Sequence, residues 1–149
     1  MTNYDEENRG TYQNRDFARQ IVSFEGMKFV GSTGVENVTP TDVDGFIQLD
    51  NENAFIFFEI KHGEATVPTG QAKALMRTVD AIARGGGNAI LFIATHNCES
   101  EDVIAGETIV DRYYTDNSWT RRGSYEVTLK QCVDNYINIL HRNKEEKTA

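Results

Sequence analysis

The stretch Asp44-Gly45-Phe46-Ile47-Gln48-Leu49-Asp50-Asn51-Glu52-Asn53-Ala54-Phe55-Ile56-Phe57-Phe58-Glu59-Ile60-Lys61 decides how the rest of the chain is read. Gly45 to Leu49 has the composition of a strand, and Asp50 to Asn53 is a polar turn. Ala54 to Ile60 is a nearly continuous apolar run, which predicts a strand covered on both faces in the middle of a sheet. A glutamate near the end of such a run is conspicuous.

If Leu49 and Ala54 close an antiparallel hairpin, each further pair steps one residue outward on both strands. Asp44 then faces Glu59, and Asp42 faces Lys61. Directly opposed residues project from one side of a sheet with Cβ atoms about 5 Å apart, and residues two apart on a strand share that side. Asp44, Glu59 and Lys61 are therefore expected to cluster. Two carboxylates at about 5 Å repel by about 3 kcal/mol at an effective dielectric near 20, which gives a fold little structural reason to pair them. A cation is implied, and hard oxygen ligands favour Mg²⁺ or Mn²⁺. Lys61, a compact ammonium, would orient a water and offset the repulsion.

Downstream, Pro68 and Thr69 open a helix to about Arg84, with Ala72, Leu75, Met76, Val79 and Ile82 as its apolar stripe. Gly85-Gly86-Gly87 stops it; this run follows a helix, so it is a C-cap and not a phosphate loop. Ala89 to Ala94 predicts a second buried strand, reached by a crossover and parallel to the first. Ile109 to Tyr114 is expected as an edge strand. Thr128-Leu129-Lys130-Gln131 is a capping-box pattern opening a last helix with Leu129, Val133, Tyr136, Ile137 and Leu140 inward. Upstream, Asn14 is positioned to cap a helix through Ile21, Met27 to Val30 is expected as an early strand, and residues 31 to 41 form an irregular, turn-rich connection. The expected order is α-β-β-β-α-β-β-α.

At 149 residues the chain predicts one domain over 1–149, with polar ends, about 1–10 and 143–149, expected to fray. No apolar run approaches the roughly 18 residues of a membrane span, so membrane insertion is not expected. Met1 to Gly10 lacks the pattern of a secretory signal, which predicts a cytoplasmic location in a bacterium or phage-infected host. Cys98 and Cys132 show no metal-site spacing and are expected to be free and buried. The formal net charge of -8 argues against a broad basic surface for nucleic acid. Divalent ions and a few grouped cations can supply the positive charge locally.

Thr41-Asp42-Val43-Asp44-Gly45-Phe46 and Phe58-Glu59-Ile60-Lys61, with the element order from about Asn14 to Ala94, resemble the signature of the PD-(D/E)XK nuclease superfamily, RecB-like branch. The resemblance implies an α/β, restriction-endonuclease-like fold, a mixed central sheet flanked by helices with an α-β-β-β-α-β core. It also implies metal-dependent hydrolysis of phosphodiester bonds in DNA. Asp44 and Glu59, with the backbone carbonyl of Ile60, would hold Mg²⁺ or Mn²⁺, and Lys61 would act at the nucleophile. Gln71, in Thr69-Gly70-Gln71-Ala72, matches the extra motif of the RecB-like branch. The superfamily's proline before the Asp is replaced by Val43, and the nearest proline is Pro40, which leaves Asp42 as the alternative metal ligand. Asp16 and Glu25 are weak candidates for a further ligand from the first helix. A homodimer would supply two such sites for double-strand cuts. The alternative is a non-catalytic regulatory module that keeps the fold and binds protein or nucleic acid.

Trp119-Thr120-Arg121-Arg122-Gly123-Ser124-Tyr125 interleaves basic and aromatic residues, and Lys73, Arg77 and Arg84 add charge along a helix. Lys73, Arg77, Arg121 and Arg122 are therefore the candidate DNA contacts, the competing interpretation being a solvated hairpin tip. Strand parity turns His62 to the other face from Lys61, and His96-Asn97-Cys98 is expected as an ordinary loop after a strand.

Overall fold

The computed structural model describes residues 23–99 and 102–148. Its contacts divide the chain into two compact units, residues 1–40 and 41–149. The first holds a small antiparallel hairpin, β1 (Phe29–Val30) and β2 (Glu36–Val38), closed through Gly34 at a positive φ of 76°. This corrects two expectations. The 31–41 connection contains a strand, and the early strand around Met27 to Val30 pairs with that strand in a sheet of its own. The α-β-β-β-α-β order thus has its first strand outside the main sheet. The expected helix from Asn14 to Ile21, with Asp16, lies outside the described residues.

The second unit is a mixed α/β layer structure. Its strands are β3 (Gly45–Leu49), β4 (Ala54–His62), β5 (Asn88–His96), β6 (Ile109–Thr115) and β7 (Ser118–Arg121), in that spatial order. β4 and β5 are parallel and the other neighbouring pairs antiparallel. β4 lies inside the sheet, as its apolar run requires. The hairpin register is the expected one, with Leu49 opposite Ala54 and Gly45 opposite Phe58. Asn53 closes the turn at φ 48°, a left-handed conformation that asparagine tolerates. At Gly45 a Cβ would run into the Phe58 ring, so only glycine lets the two strands meet this closely beside Asp44.

Helix α1 (Thr69–Arg84) makes the crossover between β4 and β5. The Gly85 and Gly87 N–H groups donate to helix carbonyls, and Gly86 takes a φ of 90°, so the glycine run is a C-cap. Helix α2 (Leu129–Thr148) opens on the capping box: the Thr128 N–H donates to Gln131 Oε1 at 3.0 Å and the Gln131 N–H to Thr128 Oγ at 3.2 Å. It continues through residues 143 to 148, where a frayed end was expected. The two helices cover opposite faces. Leu75 and Val79 pack on Leu91, Ile93 and Tyr114 on one side, and Leu129 and Val133 pack on Ile56, Ile90, Phe92 and Val110 on the other. This alternation along β5 is the period-2 consequence of a strand buried on both faces.

β6 is not the expected edge strand. Asp116 and Asn117 both adopt positive φ, 51° and 62°, making a two-residue turn that returns the chain as β7. Trp119 to Arg121 therefore lie in a strand and not at a hairpin tip. Among the described residues no helix is long and apolar enough to cross a membrane.

Candidate active site

The backbone ladder between β3 and β4 ends at Gly45 and Phe58, and beyond it side chains take over the pairing. The Ile60 N–H donates to Asp44 Oδ2 at 2.7 Å, and the Asp44 N–H donates to Glu59 Oε1 at 3.3 Å. Lys61 Nζ lies 3.4 Å from Glu59 Oε2. Asp44, Glu59 and Lys61 are thus brought together on the α1 face of the sheet, with Asp44 exposed and Glu59 buried.

Glu59 is 1% exposed, at the end of a strand whose other buried side chains are apolar. Burial, first, and the Asp44 charge, second, hold its carboxyl above the ordinary carboxylate range; the Lys61 ammonium and the Asp44 N–H pull the other way without cancelling them. The ionised form of Glu59 is therefore electrostatically disfavoured in this arrangement. The N–H and C=O of one strand residue point to the same side, so the Ile60 carbonyl also faces β3, where the ladder has ended.

The available donors are Asp44 Oδ1, the Glu59 carboxylate and the Ile60 carbonyl, all hard oxygens. Among the described residues no three His, Cys, Asp or Glu side chains converge. Two carboxylates and a carbonyl suit an ion that keeps several waters, the habit of Mg²⁺, and do not suit a zinc cage.

Gln71 takes a different place. Its Nε2 donates to the Asp42 carbonyl at 3.0 Å and to Asp42 Oδ1 at 3.3 Å, tying the first turn of α1 to the residues that lead into β3. Asp42, the alternative ligand, is engaged by that contact. Glu25 is exposed in the first unit, its N–H donating to Ser23 Oγ at 3.1 Å. His62 lies on the α2 face, edge-on to His96 at 5.1 Å between centroids. The Cys98 N–H donates to His96 Nδ1 at 3.1 Å, which accounts for that loop, and Cys98 and Cys132 are free and half-buried where full burial was expected. A cavity of about 400 Å³ bounded by His96, Cys98, Glu107 and Arg122 includes none of the clustered residues.

The basic candidates divide. Lys73 and Arg77 are exposed on α1, and Arg121 sits on β7 opposite Arg112. Arg122 is 3.8 Å from Glu126 in an ion pair and borders the cavity instead. Arg112 escapes a reading of sequence alone; its only signal is a charge at the strand parity of Tyr114, and a register shift between Arg112 and Val110 turns Val110 to the other face. Phe46, 51% exposed and stacked on Phe57 at 5.1 Å, likewise stands beside Asp44. No family model, no curated protein and no solved structure matches the chain, so what this site does has to be argued from its own atoms.

Proposed function

We propose that the second unit is a metal-dependent nuclease of restriction-endonuclease-like fold that hydrolyses phosphodiester bonds in DNA. The observation that carries this is the buried Glu59 carboxylate beside Asp44, with Lys61 against it, at the point where the hairpin ladder gives way to side chains. Asp44, Glu59 and the Ile60 carbonyl would hold Mg²⁺ or Mn²⁺, which when bound supplies Lewis-acid activation of water and charge for the phosphate. Lys61 donates hydrogen bonds that orient the attacking water. The water oxygen adds to phosphorus as the ester P–O bond breaks, and the proton that the water gives up balances the one taken up by the leaving oxygen. The hydrogen bond from Ile60 to Asp44 holds that carboxylate in place before any ligand arrives, a form of preorganisation. Gln71 acts as a positioning residue through Asp42.

A second reading is favoured by the formal net charge of -8: a non-catalytic module that keeps the scaffold and binds protein or nucleic acid. Purified protein incubated with single-stranded and duplex DNA and Mg²⁺ or Mn²⁺ separates the two. Cleavage lost in Glu59→Ala supports the nuclease; no cleavage under any of these conditions, or cleavage that persists in Glu59→Ala, defeats it.

A further inference from the structure

We infer that Arg112 and Arg121 form an anion subsite, holding a backbone phosphate of the substrate strand next to the one at the carboxylates. The inference rests on the nuclease reading for the identity of the strand, but the cluster itself is a feature of the sheet. Glu59 is opposite Ile93, Ile93 opposite Arg112, and Arg112 opposite Arg121. Opposed residues share a face, so one transverse row runs from the Asp44 and Glu59 carboxylates across an apolar residue to two guanidiniums. With strands about 4.8 Å apart, the Cα of Arg112 lies about 10 Å from that of Glu59, and the Cα of Arg121 about 15 Å.

Like charges directly opposite each other destabilise a sheet. Among the described residues neither arginine is in an ion pair with a carboxylate. Arg121 alone could be a charge blunting the edge strand β7. That does not explain Arg112, which is half-buried on an interior strand. Its guanidinium carbon lies 4.5 Å over the Trp119 ring, which orients the planar group, and among the described residues its buried Nε has no hydrogen-bond partner. Among the described residues this planar, oriented guanidinium faces no carboxylate, and beside a second guanidinium it is suited to a phosphate, which accepts two parallel N–H bonds from such a fork.

The adjoining helix adds to the same side. The Tyr114 hydroxyl donates to both oxygens of Asp80, at 2.9 and 3.0 Å, which fixes the flank of α1 that faces β6. Arg77 and Lys73 lie about one and two turns before Asp80 on that flank, toward the helix end nearest the carboxylates, and both are exposed. A chain with a formal net charge of -8 thus gathers four cations beside its candidate metal ligands. The divided charge answers the objection that an acidic protein cannot hold a polyanion.

The test is a binding measurement, kept apart from cleavage by using the full chain with Glu59→Gln in EDTA. A fluorescent single-stranded oligonucleotide and its duplex are titrated at about 50 mM and about 200 mM salt, with anisotropy as the readout. Arg112→Gln and Arg121→Gln should each weaken binding about tenfold at the lower salt. Each should also reduce the slope of log K against log salt by about 0.7 to 0.9, one phosphate contact. Arg112→Lys should keep the slope and lose affinity, because it keeps the charge and loses the fork. Arg121 is exposed, so if Arg112→Gln unfolds, Arg121→Gln still decides the matter. Unchanged affinity and slope in Arg121→Gln overturns the subsite, and inorganic phosphate competing as strongly per phosphate as the oligonucleotide binds overturns the assignment of its phosphate to a strand backbone. Glu59-dependent cleavage by the otherwise wild-type chain, with arginine variants that bind normally, sinks the subsite and leaves the nuclease. Arginine-dependent binding with no cleavage does the reverse.

Discussion

Replacing Glu59 with glutamine should make the protein in EDTA more stable at neutral pH and, on the proposed nuclease reading, abolish cleavage. The side chain is 1% exposed, and its carboxyl is held above the ordinary range by burial and by Asp44. A carboxyl whose folded pKa is raised contributes most below its unfolded value of about 4.5; ionising it in the fold costs stability as pH rises through the folded value. Repulsion across the Asp44 and Glu59 pair is about 3 kcal/mol at roughly 5 Å and an effective dielectric near 20. Desolvation adds to that figure, and Lys61 at 3.4 Å offsets a comparable part. A net gain of about 1 to 2 kcal/mol is expected for Glu59→Gln at pH 7, shrinking toward zero below about pH 4.5. Urea unfolding in EDTA at both pH values measures it. With Mg²⁺ at about ten times its dissociation constant the wild type should recover about 1.4 kcal/mol by mass action, and the variant should gain little. A variant less stable than wild type at pH 7 in EDTA would mean that Glu59 is there to anchor Lys61. An equal response of both proteins to Mg²⁺ would remove the metal from the account.

Lys61→Ala removes the cation paired with a buried carboxylate and should cost about 1 to 3 kcal/mol in urea unfolding, with loss of cleavage. Gly45→Ala places a methyl group into the Phe58 ring next to Asp44 and should destabilise by about 1 to 3 kcal/mol while lowering cleavage, checked by denaturation and by activity of the folded fraction. Thr128→Ala breaks the reciprocal capping box of α2, on the sheet face away from the candidate site, and should cost about 0.5 to 2 kcal/mol by the same denaturation assay without changing any rate of cleavage per folded molecule.

Local chemistry made the hairpin register legible in advance. Turn residues at Asp50 to Asn53 close the hairpin at Leu49 and Ala54, and a one-residue slip would turn Ile47 and Leu49 out of the apolar cluster they share with Ile56. That register alone puts Asp44 across from Glu59. The crossover helix, its glycine cap and the capping box were equally readable, because each depends on contacts within a few residues. β7 and the separate β1–β2 sheet were not, because whether a short polar strand forms depends on what it pairs with. Gln71 shows the same limit: its place at the start of a helix is a local matter, but its bonds to Asp42 follow from where α1 lands on the sheet.

What the amino-acid order determined by itself is β3 to β6, the two helices α1 and α2, and the pairing of two carboxylates with a lysine on adjacent strands. Tertiary structure alone decided the burial of Glu59, the Asp44 carboxylate taking over the Ile60 N–H where the ladder ends, and the row that carries Arg112 and Arg121 to the same face. The physical reason is that side-chain periodicity and turn chemistry act over a few residues, whereas desolvation and the alignment of strands far apart in sequence exist only once the sheet has closed.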